Sequence, residues 1–110
     1  MKLDVFGNKI QFKNGFITAL HGVLEAREIE GKIVVIYDYM EFAKGRPARN
    51  MFAYNKAGLQ LWRAEDIRMG ATDAYTIICS EYPFKVGNFA GFNVLIDLNT
   101  GKVLDMIFTK

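Results

Sequence analysis

The stretch Ile33-Val34-Val35-Ile36-Tyr37 is the longest apolar run in the 110-residue chain. Four of its five residues are β-branched, and β-branched side chains favour strands over helices. Because the run has no polar face, it is typical of a strand that is covered on both faces of a sheet. The stretch therefore predicts the central strand of the fold.

Strand-like patterns continue on both sides of this run. Lys9-Ile10-Gln11-Phe12-Lys13 alternates polar and apolar residues, which predicts that one face of this strand is apolar. Asn14-Gly15 follows and predicts a tight turn into a strand from Phe16 to Leu20. The other predicted strands are Met51 to Tyr54, Leu59 to Arg63, Tyr75 to Cys79, Phe92 to Leu98 and Val103 to Phe108.

The regular strand and turn spacing predicts a single all-β domain over residues 1–110. We expect about nine or ten short strands in an antiparallel hairpin meander, folded as a two-sheet sandwich or a partly closed barrel. Residues 22–30 fit either two helical turns or a charged strand. A helix this short is marginal, so the strand is favoured and at most one short helix is expected.

The composition is that of a folded domain, with 51% hydrophobic and 24% charged residues. One cysteine and one histidine exclude an internal disulfide framework and leave too few ligands for a zinc site within one chain. The net charge of +2 is too small to indicate a nucleic-acid or membrane partner. Since no signal peptide or membrane-spanning stretch is visible, we expect a cytoplasmic protein without a membrane partner.

Two hairpins in the chain resemble each other. One runs from Phe52 to Trp62, and the other contains Asp97-Leu98-Asn99-Thr100-Gly101-Lys102-Val103-Leu104. In both, Asn or Asp begins the turn and glycine ends it, which suits side-chain capping and a left-handed backbone. Both resemble the hairpins of quinoprotein-type β-propeller repeats, with Trp62 at the expected place and Asp105 replacing the second tryptophan. A propeller needs about four or more blades of four strands, so the resemblance implies only a propeller-blade-like hairpin.

The order of the motifs from Asn50 to Lys110 resembles a group of small uncharacterised bacterial proteins. The shared pieces include the Phe-Ala-Tyr strand, the Leu-Trp-Arg return and the Thr-Gly-Lys hairpin. This resemblance implies a fold and no activity, and it brings no catalytic residues.

The residues that could carry catalysis are isolated from one another in the sequence. His21 follows an apolar strand without an acid or nucleophile at a suggestive spacing, which favours a turn or surface histidine. Cys79 follows two isoleucines, and this apolar setting favours a core residue over a reactive thiolate. We therefore predict no catalytic residue, no metal site and no cofactor, and an enzyme is disfavoured.

The best candidate for binding is the basic loop from Glu41 to Asn50, which contains Lys44, Arg46 and Arg49. Cations beside aromatic residues suit an acidic protein partner, and suit nucleic acid less well at this net charge. A solvated loop without a partner is nevertheless the favoured interpretation, because basic loops are common and the acidic residues of the chain nearly cancel its charge. Trp62 and Arg63 could anchor an interface, although packing of Trp62 within the sheets is favoured. The aromatic residues near the loop are Tyr39, Phe42 and Phe52.

These features favour a non-catalytic binding or interaction protein, which could be a protective partner that neutralises another bacterial protein. One alternative is a small-ligand-binding protein or enzyme with a pocket between the sheets, lined by Tyr37, Tyr75 and an acid. A weak nucleic-acid binder acting through the basic loop is the other alternative. The strand Val103 to Phe108 has hydrophobic residues on both faces, which predicts a homodimer.

Overall fold

The structure is a computed structural model and describes residues 1–109. This part of the chain forms eleven β-strands and two short 3-10 turns, Tyr39–Glu41 and Gly70–Thr72. The predicted all-β class is confirmed. The strands are β1 (Asp4–Phe6), β2 (Lys9–Phe12), β3 (Gly15–Thr18), β4 (Val23–Ile29), β5 (Lys32–Tyr37), β6 (Met51–Tyr54), β7 (Gln60–Arg63), β8 (Tyr75–Ser80), β9 (Lys85–Asn88), β10 (Phe92–Ile96) and β11 (Val103–Phe108).

The strands form three antiparallel sheets, with the orders β1-β2-β3, β4-β5-β6-β7 and β11-β10-β9-β8. The four-stranded sheet β4–β7 is central, because one of its faces packs on the first sheet and the other on the third. The predicted hairpin meander is present in all three sheets, and the sheets do not close into a barrel. The chain therefore builds three layers where the sequence predicted two.

Strand β5 has the environment that its sequence predicts. All five residues from Ile33 to Tyr37 are 0% exposed. Val34 and Ile36 belong to the core shared with the third sheet, whereas Val35 and Tyr37 belong to the core shared with the first sheet. Successive side chains of a strand point to opposite faces, so one apolar run supplies both cores.

The ambiguous residues 22–30 contain strand β4 and no helix. The strand pairs with β5 and carries a bulge between Val23 and Glu25. The Glu25 carboxylate is 6% exposed, and its Oε1 accepts from the backbone N–H of Ile78 in β8 at 2.8 Å. Sheet pairing thus stabilises this segment more than two isolated helical turns could be stabilised.

The prediction that Cys79 lies in the core was wrong. Strand β8 is irregular against β9, with register shifts between Tyr75 and Ile77 and between Ile78 and Ser80. These shifts leave Ile78 buried, whereas Ile77 and Cys79 are exposed on the outer face. The thiol lies 3.6 Å from the side-chain oxygen of Asn93. A bulge of this kind changes which residues face inward, and the apolar pattern alone does not reveal it.

Trp62 joins the two similar hairpins. Its side chain is 6% exposed, and its indole Nε1–H donates to the carbonyl oxygen of Leu98 at 2.8 Å. Gly101 lies directly on the indole ring with φ +75°, and a Cβ atom there would be 2.6 Å from Trp62 Cε3. The packing interpretation of Trp62 is therefore confirmed, and glycine is required at position 101 for two independent reasons.

Asn50 is a fully buried side chain that connects the central sheet to the third sheet. Its Nδ2 donates to the carbonyl oxygens of Tyr37 at 2.7 Å and Tyr75 at 2.9 Å. Its Oδ1 accepts from the Tyr75 N–H at 2.8 Å. One amide thus satisfies backbone groups at the end of β5 and at the start of β8.

Replacing Asn50 with alanine is expected to lower the free energy of unfolding by about 3 kcal/mol, because three buried backbone groups lose their partners. Urea denaturation followed by Trp62 fluorescence measures the change. Asn99→Ala is the matched control, since Asn99 is exposed in the β10–β11 turn. Equal losses of stability in the two variants would contradict the role assigned to Asn50.

Two tyrosine hydroxyls are held neutral in the fold. The Tyr54 hydroxyl lies 2.8 Å from that of Tyr37, and burial together with this hydrogen bond raises the pKa of Tyr54 far above its usual value. The Tyr75 hydroxyl donates to the carbonyl oxygen of Glu65. Burial raises the Tyr75 pKa most, and the negative charge of Asp73 raises it further.

Stability is therefore expected to fall as the pH rises above 10, the ordinary tyrosine pKa. The unfolded chain releases these two protons there while the folded chain keeps them, so the loss reaches about 1.4 kcal/mol per pH unit for each tyrosine. Urea denaturation between pH 9 and about pH 11 checks this. Tyr54→Phe should reduce the steepness, and the exposed Tyr82→Phe should not; a flat profile would refute the prediction.

Candidate functional site

A surface pocket of about 340 Å³ lies between the basic loop and the end of β7. We call it the arginine pocket because three guanidinium groups surround it. Its wall is formed by Phe42, Ala43, Arg46, Pro47, Ala48, Arg49, Arg63 and Asp66.

Two of the three arginines are held by each other's backbone. Arg63 donates from Nε to the carbonyl oxygen of Arg49 at 2.8 Å and from Nη2 to that of Ala48 at 2.9 Å. Arg49 donates in return from Nη2 to the carbonyl oxygen of Arg63 at 3.4 Å and from Nε to that of Ala64 at 3.0 Å. Arg49 also has a left-handed backbone with φ +48°, which turns its carbonyl group toward Arg63. The reciprocal bonds fix both half-buried guanidiniums without a carboxylate.

The Arg63 guanidinium also lies over two aromatic rings. Its Cζ is 5.1 Å from the ring centroid of Phe52 and 5.7 Å from that of Phe42. Attraction between the cation and the aromatic faces adds to the hydrogen bonds that hold Arg63. The side chain is therefore ordered before any ligand arrives.

The arginine pocket carries a net positive charge, because three guanidiniums and one carboxylate, that of Asp66, line it. Among residues 1–109, no carboxylate lies within 4.0 Å of Arg46, Arg49 or Arg63. Burial lowers the pKa of Arg63, and the positive charges of Arg49 and Arg46 lower it further. Arg63 remains protonated at neutral pH because the ordinary pKa of an arginine lies far above neutrality. An anion in the pocket would relieve the repulsion among the three cations.

A second pocket of about 310 Å³ adjoins the first one. We call it the apolar pocket because apolar side chains dominate its wall. Lys44 lines this pocket and not the arginine pocket. The full lining is Tyr39, Met40, Phe42, Ala43, Lys44, Gly45, Arg46, Ala48, Ala71 and Ala74.

Buried Asp73 holds the segment after β7, which contributes residues to the wall of each pocket. Its carboxylate is 1% exposed, and Oδ2 accepts from the N–H groups of Ile67 at 2.7 Å and Met69 at 3.3 Å. Oδ1 accepts from the side-chain amide of Asn88 at 2.9 Å. The bonds fold residues 66–73 back, which brings Asp66 to one pocket and Ala71 to the other.

The five binding residues predicted from sequence divide into three groups. Arg46, Arg49 and Arg63 meet in the arginine pocket, and Lys44 lies in the adjoining pocket. Trp62 lies in the core instead, because neighbouring residues of β7 point to opposite faces. Asp66, Ala71 and Ala74 were missed, and only the turn-forming Asp73 gives a hint of how their segment folds back.

His21 and Cys79 do not meet in a cleft. His21 lies half-buried at a bend, as predicted, with its Nδ1 atom 3.7 Å from Glu41 Oε1 and its ring packed on Tyr37 and Phe42. Cys79 lies on the outer face of the third sheet.

Two features are absent from residues 1–109. These residues contain no group of three or more His, Cys, Asp and Glu side chains arranged to hold a metal ion. None of their helical segments is long and apolar enough to span a bilayer.

The comparisons with known proteins identify a family and no activity. No curated protein and no solved structure matched the sequence. A family model described as "Domain of unknown function (DUF7957)" matches residues 1–108, which is nearly the whole chain. The chain therefore belongs to the DUF7957 family.

Proposed function

We propose that the protein is a non-catalytic binding protein that takes an acidic group of a partner protein into the arginine pocket. The observation that carries the proposal is the set of three guanidiniums around one pocket, with no carboxylate within 4.0 Å of them among the described residues. Asp66 also lines the pocket, but three guanidiniums outnumber its one carboxylate, and an excess of positive charge in an ordered pocket is the arrangement expected of an anion-recognition site.

The chemistry of the pocket suits recognition better than catalysis. A guanidinium keeps its proton at neutral pH and offers several N–H donors in a plane that matches a carboxylate. Arg49 and Arg63 each hold backbone carbonyls through both Nε and Nη2. Because these side chains are already ordered, binding an anion would cost them little conformational entropy.

The two alternative functions receive less support. Nucleic-acid bases need free aromatic faces, but Phe52 is buried and the Arg63 guanidinium lies over both Phe52 and Phe42. Tyr37 and Tyr75 lie in different cores on opposite faces of the central sheet, so they line no common cavity between sheets.

A pull-down from the source cells followed by a purified binding assay tests the proposal. Arg46→Glu reverses the charge of the one exposed arginine of the pocket, which makes no hydrogen bond that the fold needs. We expect it to weaken binding of the identified partner at least about tenfold. Lys102→Glu is the matched control, since it makes the same charge change in the exposed β10–β11 turn and should leave binding unchanged.

Equal binding by wild type, Arg46→Glu and Lys102→Glu would refute the proposal. So would salt-sensitive binding of a single-stranded oligonucleotide that is lost in Arg46→Glu, because the pocket would then serve nucleic acid. If the captured partner is a toxic enzyme, inhibition of its activity by the wild type and not by Arg46→Glu supports the protective role suggested by the sequence.

We also propose that two copies of the chain pair through β11. This strand is the edge of the third sheet, and Leu104, Ile107 and Phe108 are 66%, 46% and 63% exposed. An exposed apolar edge strand is prone to pair with another strand. Antiparallel pairing of two identical strands across a two-fold axis would cover both the backbone and these side chains.

Ile107→Lys is expected to convert the dimer to a monomer, because the charge would be buried in the pairing. Light scattering of the purified protein at micromolar concentration measures the mass. Leu20→Lys, a similar change at a 65% exposed leucine outside β11, should leave the dimer intact. A monomeric wild type would contradict the proposal.

A cytoplasmic location and a bacterial source remain part of the proposal. The exposed free thiol of Cys79 supports the location, because free surface thiols are best preserved in a reducing compartment.

The propeller-blade-like assignment of the two hairpins is supported by their shared turn chemistry. Asn55 and Asp97 each accept backbone N–H groups at the turn, and Gly58 and Gly101 each have positive φ.

A further inference from the structure

The arginine pocket and the apolar pocket share one wall. Phe42, Ala43, Arg46 and Ala48 line both, so the cationic surface of one pocket passes directly into the apolar surface of the other. A ligand that fills both must carry a negative group and an apolar group a short distance apart.

We infer that the occupant is the C-terminal residue of a partner protein, with its carboxylate in the arginine pocket and a large apolar side chain in the apolar pocket. This inference rests on the proposed function, since it names the acidic group that the arginine pocket takes. A C-terminal residue carries both groups on one Cα atom, which matches the shared wall. An internal Asp or Glu beside an apolar residue would place the two groups farther apart.

Positive charge and free N–H donors suit the arginine pocket to the carboxylate of the C-terminal residue. Arg49 and Arg63 leave Nη1 outside the hydrogen bonds that fix them, and Arg46 adds an exposed guanidinium at the rim. Two fixed guanidiniums and one adjustable one suit a planar carboxylate. Capture of a terminal carboxylate by fixed donors is an established mode of peptide recognition.

The surface of the apolar pocket suits the side chain of the C-terminal residue. Met40 is 60% exposed on its wall, and an exposed methionine gives an adaptable contact for apolar groups of different shape. Tyr39 packs against Phe89 with ring centroids 5.9 Å apart, which holds one aromatic wall in place. Ala71 and Ala74 also line this pocket, and their small side chains leave room for a ligand side chain to enter.

Small probes test this chemistry on the whole 110-residue chain. We would titrate ¹⁵N-labelled protein with N-acetyl-L-phenylalanine, which carries both groups, and follow backbone amide shifts. Saturable shifts are expected at residues 42–49 and 71–74. N-acetyl-L-phenylalaninamide lacks the carboxylate and N-acetylglycine lacks the side chain, so each is expected to bind at least about tenfold more weakly.

Two substitutions separate the two halves of the site. Arg46→Gln is expected to weaken N-acetyl-L-phenylalanine about tenfold, with Lys102→Gln as the unchanged control. Ala71→Leu adds a side chain at an exposed position on the wall of the apolar pocket. It is expected to weaken N-acetyl-L-phenylalanine while leaving N-acetylglycine unchanged, which a general loss of folding would not do.

Several outcomes would overturn the inference. They are equal binding of the acid and its amide, shifts confined to other surfaces, and no shift at millimolar probe. Tighter binding of inorganic phosphate than of the acid, lost in Arg46→Gln, would also overturn it by assigning the pocket to a phosphate group. If these results occur while Arg46→Glu still loses its protein partner, the proposed function stands and the C-terminal residue is the wrong group.

Discussion

The Asn50 amide is the contact on which the relative placement of the two large sheets depends. It holds the last carbonyl of β5 and both backbone groups of Tyr75, the first residue of β8. A polar group buried without partners would cost free energy, but here all three bonds are satisfied and the amide has few other positions open to it. The sheets therefore meet in one register, and the segment that precedes Asn50 leaves the core from a fixed point.

That fixed point explains why an ordered binding site can form from a loop. Arg49 is the residue before Asn50, and its carbonyl receives Arg63 from the end of β7. The end of the basic loop is thus held by the core at Asn50 and by the Arg63 guanidinium at Ala48 and Arg49. Loops that carry binding residues usually owe their geometry to a rigid scaffold, and here the scaffold is the junction of the central and third sheets.

The sequence predicted the parts of the fold that depend on local pattern. The apolar run of β5 and the two glycine turns were found because a strand period and a left-handed turn each leave a local signature. The third layer and the exposed side of Cys79 were not predicted, because they depend on how hairpins pack and where bulges shift the register. Strand β9 was missed because Gly87, which packs under Thr76 and Ile77, reads as a turn in isolation.

The candidate site likewise has one part that the sequence predicted and another that depends on how the chain packs. Arg46 and Arg49 were found as a charged loop, but the pocket also needs residues 66–73, which buried Asp73 folds back through contacts invisible in the sequence. Trp62 and Arg63, which were predicted together, lie in different places for a simpler reason. Adjacent residues on a strand face opposite sides, so one surface cannot use both. Burial of Trp62 on Gly101 therefore places Arg63 on the Phe52 side, where it meets Arg49.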